Sequence, residues 1–386
     1  MKPIRPTTAY VCLDHIAHNV EAFRGILPAA TELMAVVKAD AYGHGAIDVA
    51  RSALSAGVNR LAVAMIDEAI ELRKAQIGAP IFILGHTAPE MADLMVRFGF
   101  SAAVMESDLA RALSDAGVRN NRRVKVHVKV DTGMNRLGVR PEEAAGFADY
   151  VSGLPALELE GVFTHLAAAD SPDLADSQRQ LERFRLACAG IESRGLKPIR
   201  HAANTAATLA LADSHLDMVR LGIGLYGMYP AVHMRGRLDL RPALSWVSHV
   251  SAVKWIKAGE RVGYGGTYVA PNARRIATVP VGYADGYSRK MSNRGLAAVN
   301  GRHVPIIGTV CMDQLMLDVT EVPCNAYDEV VLLGQSGNAV ISAEDIAAWM
   351  ESINYEVTSV LSRRVPRIYT RKGREIAGRS LLGRWD

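Results

Sequence analysis

Lys38 and Tyr42 stand just after a short apolar run, and that placement recurs along the first half of the chain. Lys129, Asp131 and Arg136 follow a second such run, and Thr164 and His165 a third. His201, Asn204 and Thr205 follow a fourth, and Arg220, Gly222 and Gly224 a fifth. Amines, imidazoles and phenols move protons, and guanidinium groups hold anions. Taken singly, each has an ordinary explanation: a lysine in such a place is usually a solvated charge, and a histidine a satisfied structural one. Five clusters, each behind a mostly apolar run, are harder to dismiss. The string GIGLYG at 222–227 matches the G-x-G-x-x-G dinucleotide pattern, but no helix follows it and Pro230 arrives three residues later. It reads better as a phosphate cradle, in which glycine lets backbone N–H groups approach and the Thr205 hydroxyl adds a donor.

The elements that must position these residues are legible in the apolar pattern. Runs rich in Val, Ile and Leu at 32–37, 60–64, 81–84, 102–105, 124–130, 157–163, 198–201 and 218–221 read as strands. Segments with helical period lie between them, among them 47–54, 66–74, 91–98 and 181–191. Pro141 with Glu142 and Glu143 predicts a helix start. Eight strand-then-helix units imply an α/β fold, a TIM-like (β/α)8 barrel, over residues 1–240. In such a barrel the chemistry sits at the C-terminal ends of the strands, where the polar clusters fall. Beyond about residue 240 the texture changes. Residues 244–256 alternate apolar and polar as one long strand, Asn300-Gly301 signals a hairpin, 329–333 reads as another strand, and Ser342 opens a helix. A second, mainly β domain is expected over 241–386.

Bulk properties narrow the function. With 386 residues, 49% hydrophobic and 22% charged, the chain can bury a large core. A net charge of +4 gives no reason to invoke nucleic acid, and the cluster from Arg363 to Arg374 reads as a solvated face. Cys12, Cys188, Cys311 and Cys324 lack metal-ligand or disulfide spacing, so a reducing compartment and no metal are expected. Residues 1–10 lack the apolar run of a signal peptide and no stretch is long enough to span a membrane. A cytoplasmic location is expected.

AVVKADAYGHG at 35–45 resembles the cofactor-lysine motif of the alanine racemase family, and the resemblance covers nearly the whole chain. It recurs in KVDTGMNRLG at 129–138, VFTH at 162–165, HAANTA at 201–206 and MVRLGI at 218–223. It continues through GYGGTY at 263–268, GYADG at 282–286, VCMDQ at 310–314 and INYE at 353–356. The resemblance implies a pyridoxal 5′-phosphate enzyme that interconverts L- and D-alanine. Lys38 would carry the cofactor and act as one base, and Tyr264, offered by a partner subunit, would be the base on the opposite face. Arg220 would bond the pyridine nitrogen and His165 would link Arg220 to Tyr264. Tyr42, Thr205, Gly222, Ile223 and Tyr355 would hold the phosphate, with Asn204 beside the cofactor. Arg136 and the Met312 backbone would receive the substrate carboxylate, and a carbamylated Lys129 would orient Arg136. The resemblance implies a small amino-acid substrate and a homodimer with shared sites; charge and hydropathy give no reason to expect a nucleic-acid or membrane partner.

Elementary chemistry agrees with these roles. Inverting Cα needs a proton removed from one face and delivered to the other, so two bases suffice. An amine or phenol titrating near 10 in water must drop by about 2–3 units to work near neutrality. A guanidinium does not surrender its proton, which leaves the pyridine nitrogen unprotonated and disfavours transamination. If they line the substrate end, Tyr355 and Met312 leave room for a methyl group but little more, favouring alanine. A broad-specificity racemase, a decarboxylase and a non-catalytic cofactor-binding protein are the alternatives, the last weighed against by the motifs of the second half. The roles of Cys311, His44 and His201 stay open.

Overall fold

The computed structural model describes residues 5–385. They divide into two compact units, one of residues 15–41 and 46–241, the other of residues 5–14, 42–45 and 242–385. The first strand, β1 (Thr8–Cys12), belongs to the second unit, where it lies between Leu244–His249, antiparallel to it, and Arg367–Arg371, parallel to it. A split at residue 240 does not anticipate that placement, because a five-residue strand carries no signal of a partner more than 230 residues away.

The first unit is the expected barrel. Its strands are β2 (Glu32–Val36), β3 (Arg60–Val63), β4 (Ile81–Ile83), β5 (Ser101–Val104), β6 (Val124–Lys129), β7 (Leu157–Phe163), β8 (Ile199–His201) and β9 (Met218–Leu221). They pair in parallel in the order β8-β7-β6-β5-β4-β3-β2-β9. Hydrogen bonds from Asp217 N to Arg200 O and from Arg220 N to Ala203 O bring β9 back to β8. Helices such as Ala46–Ser55, Ile66–Lys74, Ala92–Phe98, Ser107–Arg119 and Ala175–Glu192 fall between the strands. Because helices and barrel interior cover both faces, β4, β5 and β9 are buried throughout, which is why they read as mostly apolar runs.

Three local expectations need correction. The helix after Pro141 begins at Ala144; residues 141–143 form a turn with an Ala144 N–Pro141 O bond before the first helical bond, Phe147 N to Glu143 O. The alternating run 244–256 is two strands, Leu244–His249 and Ala252–Ile256. Between them Val250 N bonds Asp328 O and Ser251 N bonds Thr278 O, so the backbone changes partners at that point. The basic cluster near the C-terminus is not wholly solvated: Arg367 is buried and donates to the carbonyls of Gly43, Leu361, Ser362 and Val365.

The second unit is built on a mainly antiparallel sheet. Asn300 and Gly301, with φ of 47° and 76°, close the hairpin between Leu296–Val299 and Arg302–Ile307. Ser342 caps Ala343–Met350 through a reciprocal box with Asp345. No helix among the described residues is long and apolar enough to cross a membrane.

Candidate active site

Lys38 follows β2 at the mouth of the barrel, and the backbone after it is unusual. Ala39, Asp40, Ala41 and Tyr42 all have φ between 50° and 54°, a left-handed turn made without glycine. Each such residue costs about 1–2 kcal/mol, so the turn must be held from outside. Glu68 accepts from Ala39 N at 2.6 Å and from Ala64 N at 2.8 Å, Ala41 N bonds Val37 O, and Asp40 accepts from Ala46 N. The Lys38 amine is held below the usual lysine range, by burial first and then by Arg136, with Glu68 opposing.

Arg220 on β9 is fully engaged on its outer nitrogens. Nη1 donates to His201 Nδ1 and His201 O, both at 3.0 Å; Nη2 lies within reach of Thr164 O, Ala202 O and His165 Nδ1. Its Nε–H has no acceptor among the described residues. Burial pushes the guanidinium down to about 10, so it remains a cation at neutrality. His165 faces this charge at 3.3 Å and is held well below the usual imidazole range, by burial first and then by Arg220 and Lys129. A neutral ring that accepts at Nδ1 carries its proton on Nε2. Lys129 ends β6, donates to Val130 O and is pushed down to about 7, by burial and then by Arg220. Arg136 is exposed in the following loop and makes no hydrogen bond among the described residues.

The loop after β9 folds as the cradle required. Thr205 Oγ1 accepts from Gly222 N at 3.0 Å and from Gly224 N at 3.3 Å. With both lone pairs engaged, its O–H is left to donate to an anion. Ile223 opens a short helical turn, whose first N–H has no partner within the turn. A Cβ on Gly224 would come within 2.6 Å of Phe23, so the close approach requires glycine. Asn204 has a local task as well: its side chain caps Thr205–Ala210 by accepting from Ala207 N.

The remaining expected residues lie in the second unit. Tyr42 and Tyr355 pair there with ring centroids 6.2 Å apart, and burial pushes the Tyr42 phenol up to about 12. Tyr264 is 73% exposed. Its loop is tied to the Met312 loop through Thr309, whose hydroxyl donates to Tyr264 O and whose carbonyl receives Cys311 Sγ. The Met312 carbonyl accepts from Ala284 N, while the Met312 N–H has no acceptor among the described residues. Gly282 permits this fold, because a Cβ there would lie 2.2 Å from Cys311 O.

No motif or spacing in the sequence singles out His127 or Glu160, and none decides the role of His201. All three are buried in one hydrogen-bonded line leading from Arg220. A histidine and a glutamate within apolar strands were the available signal.

These residues fit pyridoxal phosphate: an amine of lowered pKa, a cationic N–H donor without a partner, and a threonine hydroxyl aimed from a glycine cradle. Residues 11–230 match the family description "Alanine racemase, N-terminal domain" and residues 243–369 match "Alanine racemase, C-terminal domain". The alanine racemase of Symbiobacterium thermophilum is 44% identical, covering 95% of this chain and 97% of its own. The chain belongs to the alanine racemase family. That of Desulfosudis oleivorans is 45% identical, covering 94% of this chain and 96% of its own. Among solved structures, the alanine racemase of Bacillus anthracis with bound L-Ala-P superposes with a TM-score of 0.93 at 37% identity, covering 99% of both chains. A histidine racemase from Leuconostoc mesenteroides superposes with a TM-score of 0.87 at 31% identity, covering 96% of this chain and 99% of that one. Amino-acid racemisation is thus the enzyme class, and this architecture accommodates more than one side chain.

Proposed function

We propose that this enzyme interconverts L- and D-alanine with pyridoxal 5′-phosphate, in the cytoplasm, as a homodimer whose sites are shared between subunits. When bound, the cofactor supplies an electron-withdrawing ring that makes the substrate Cα proton acidic. The observation that carries the reading is Arg220, a buried cation whose outer nitrogens are consumed by the protein and whose Nε–H is not. A pyridine nitrogen is the acceptor such a donor suits, and a guanidinium keeps its proton.

The remaining groups divide the work. Lys38 holds the cofactor and moves the Cα proton on one face through Nζ. Tyr264 of the partner subunit moves it on the other through Oη, and the Nε2–H of His165 stabilises the phenolate by donating to it. Tyr42, Thr205, Gly222, Ile223 and Tyr355 bind the phosphate, with Asn204 fixing the helix that carries Thr205. Arg136 and the Met312 N–H hold the substrate carboxylate. The barrel unit carries Lys38, Thr205, Gly222 and Ile223 for the cofactor, and the second unit carries Tyr264. A Lys129 amine titrating near 7 is half neutral at that pH, so it adds to carbon dioxide, forming an N–C bond and releasing a proton. The resulting carbamate faces Arg220 and Arg136, which favour a negative charge.

Purified protein incubated with L-alanine in deuterium oxide tests the reading. The expected outcome is loss of optical rotation with deuterium entering Cα, both absent in Lys38→Ala. A bound cofactor chromophore without either change on alanine, but with turnover of serine, histidine or basic amino acids, would overturn the alanine assignment in favour of a broader racemase, the reading that the histidine racemase neighbour supports.

A further inference from the structure

Behind Arg220 a line of hydrogen bonds crosses the barrel interior. Arg220 Nη1 meets His201 Nδ1 at 3.0 Å, His201 Nε2 meets His127 Nδ1 at 2.9 Å, and His127 Nε2 meets Glu160 Oε2 at 3.0 Å. The other oxygen of Glu160 receives Lys125 at 2.7 Å and Arg60 at 2.8 Å, and Ser101 donates to Oε2. His127 and His201 are fully buried, packed on Phe82 and Phe163 with centroids 4.4 Å and 4.9 Å away.

The two ends dictate every proton between them. A guanidinium has only donors, so His201 accepts at Nδ1 and carries its proton on Nε2. That proton goes to His127 Nδ1, which must therefore be bare, leaving the His127 proton on Nε2. It meets a carboxylate that only accepts, held ionised by two cations. A second proton on either ring would set two donors against each other. Burial pushes both rings below the usual imidazole range, in agreement with two neutral tautomers.

Strand β7 is shaped for this end point. Val126 pairs with Leu159 and His127 with Gly161, so Glu160 is the extra residue of a bulge. A bulge re-aims a side chain, and this one turns a carboxylate into the barrel. A Cβ on Gly161 would lie 2.2 Å from His127 Nδ1, so the ring reaches its place only over glycine.

We propose that Glu160 is a positioning residue for Arg220, acting through His127 and His201. It locks both tautomers so that a lone pair of His201 grips Nη1 and holds Nε–H toward the cofactor ring. This rests on the reading of Arg220 as the partner of the pyridine nitrogen. A glutamine at 160 inverts the line. The two cations take its amide oxygen, its NH2 group then faces His127 Nε2, and the tautomers flip until His201 sets a proton against Arg220.

Long-range 1H–15N correlation spectra of histidine-labelled holoenzyme read the tautomers without turnover. The wild type is expected to hold His127 and His201 in the Nε2–H form throughout neutral pH. Glu160→Gln is expected to move protons to Nδ1 and lower kcat/KM about ten- to a hundred-fold, the size seen when the outer partner of a metal-bound histidine is removed, with weaker pyridoxal phosphate binding. Glu160→Asp, which keeps the charge, is expected to restore the Nε2–H form and most of the rate. His127→Phe leaves the Glu160 ion pairs in place, so an equal loss of rate there separates relay from charge clamp even if Glu160→Gln fails to fold. Nδ1–H rings in the wild type, or wild-type rates and cofactor affinity in both His127→Phe and Glu160→Gln, would sink the proposal. An enzyme that racemises nothing would remove the functional reading, while the spectra alone would still decide the tautomer lock.

Discussion

Lys129 is the residue whose environment most contradicts its chemistry. It is a buried amine with one carbonyl partner, near two arginines, pushed down from 10.5 to about 7. A base whose folded pKa is lowered carries fewer protons folded than unfolded between those two values. Unfolding free energy therefore rises with pH from about 7 toward 10.5, and below 7 the penalty for the charged amine is present in full. At about 1.4 kcal/mol per unit the shift is worth roughly 3–5 kcal/mol. Urea unfolding in carbon-dioxide-free buffer should show this slope, and Lys129→Met should remove it and raise stability at neutral pH. Equal slopes in both proteins would show that the amine pays no such penalty. Carbamylation gives the residue another way out of the same difficulty, because the modified group is an anion among cations. With 13C-labelled bicarbonate the unsubstituted protein should give a carbamate carbon signal that Lys129→Met lacks.

Among the elements, the left-handed turn after β2 is the most costly stretch of backbone near the site. Ala39 is exposed, so its side chain contributes little packing while its backbone has a φ of 50°. Ala39→Gly should raise stability by about 0.5–1 kcal/mol, since glycine adopts positive φ freely, offset in part by its larger unfolded-state entropy. Ala39→Val should lower it by about 1–2 kcal/mol, because a β-branched side chain clashes in that region. Chemical denaturation of the two variants against wild type decides, and a more stable valine variant would show that the turn is not strained. This turn was invisible in the sequence because alanine carries no signal for positive φ; it exists through Glu68 and Asp40, which hold it from the side. The barrel strands, by contrast, were legible to within about one residue, because burial on both faces leaves an apolar run that needs no knowledge of partners. Lys38, Lys129, His165 and Arg220 were legible as strand-end polar groups. Glu160 and His127 were not, because their meaning depends on each other and on Arg220, 60 residues beyond Glu160. The burial of Arg367 likewise depends on carbonyls such as Gly43 O, far away in the chain.

At the scale of the whole molecule, the question is how many chains make one site. Tyr264, Met312 and Ile353 are 73%, 52% and 61% exposed, large side chains left in solvent on the unit that is to supply the second base. In the proposed two-fold dimer these side chains would face the partner, and each subunit's Tyr264 would complete the other's Lys38 site. This has a consequence that does not depend on any distance. Lys38→Ala keeps a sound Tyr264, and Tyr264→Phe keeps a sound Lys38, so each variant alone should be nearly inactive. When the two are unfolded together and refolded at equal concentration, half the dimers should be mixed, and each mixed dimer should have one intact site and one lacking both bases. Racemisation should therefore recover to about one quarter of the wild-type rate per chain. If both bases came from one chain, no mixing would rebuild a site and the rate would stay at the level of the separate variants. Recovery near a quarter, scaling with the fraction of mixed dimer, thus ties the exposed tyrosine to the half-buried lysine across two subunits.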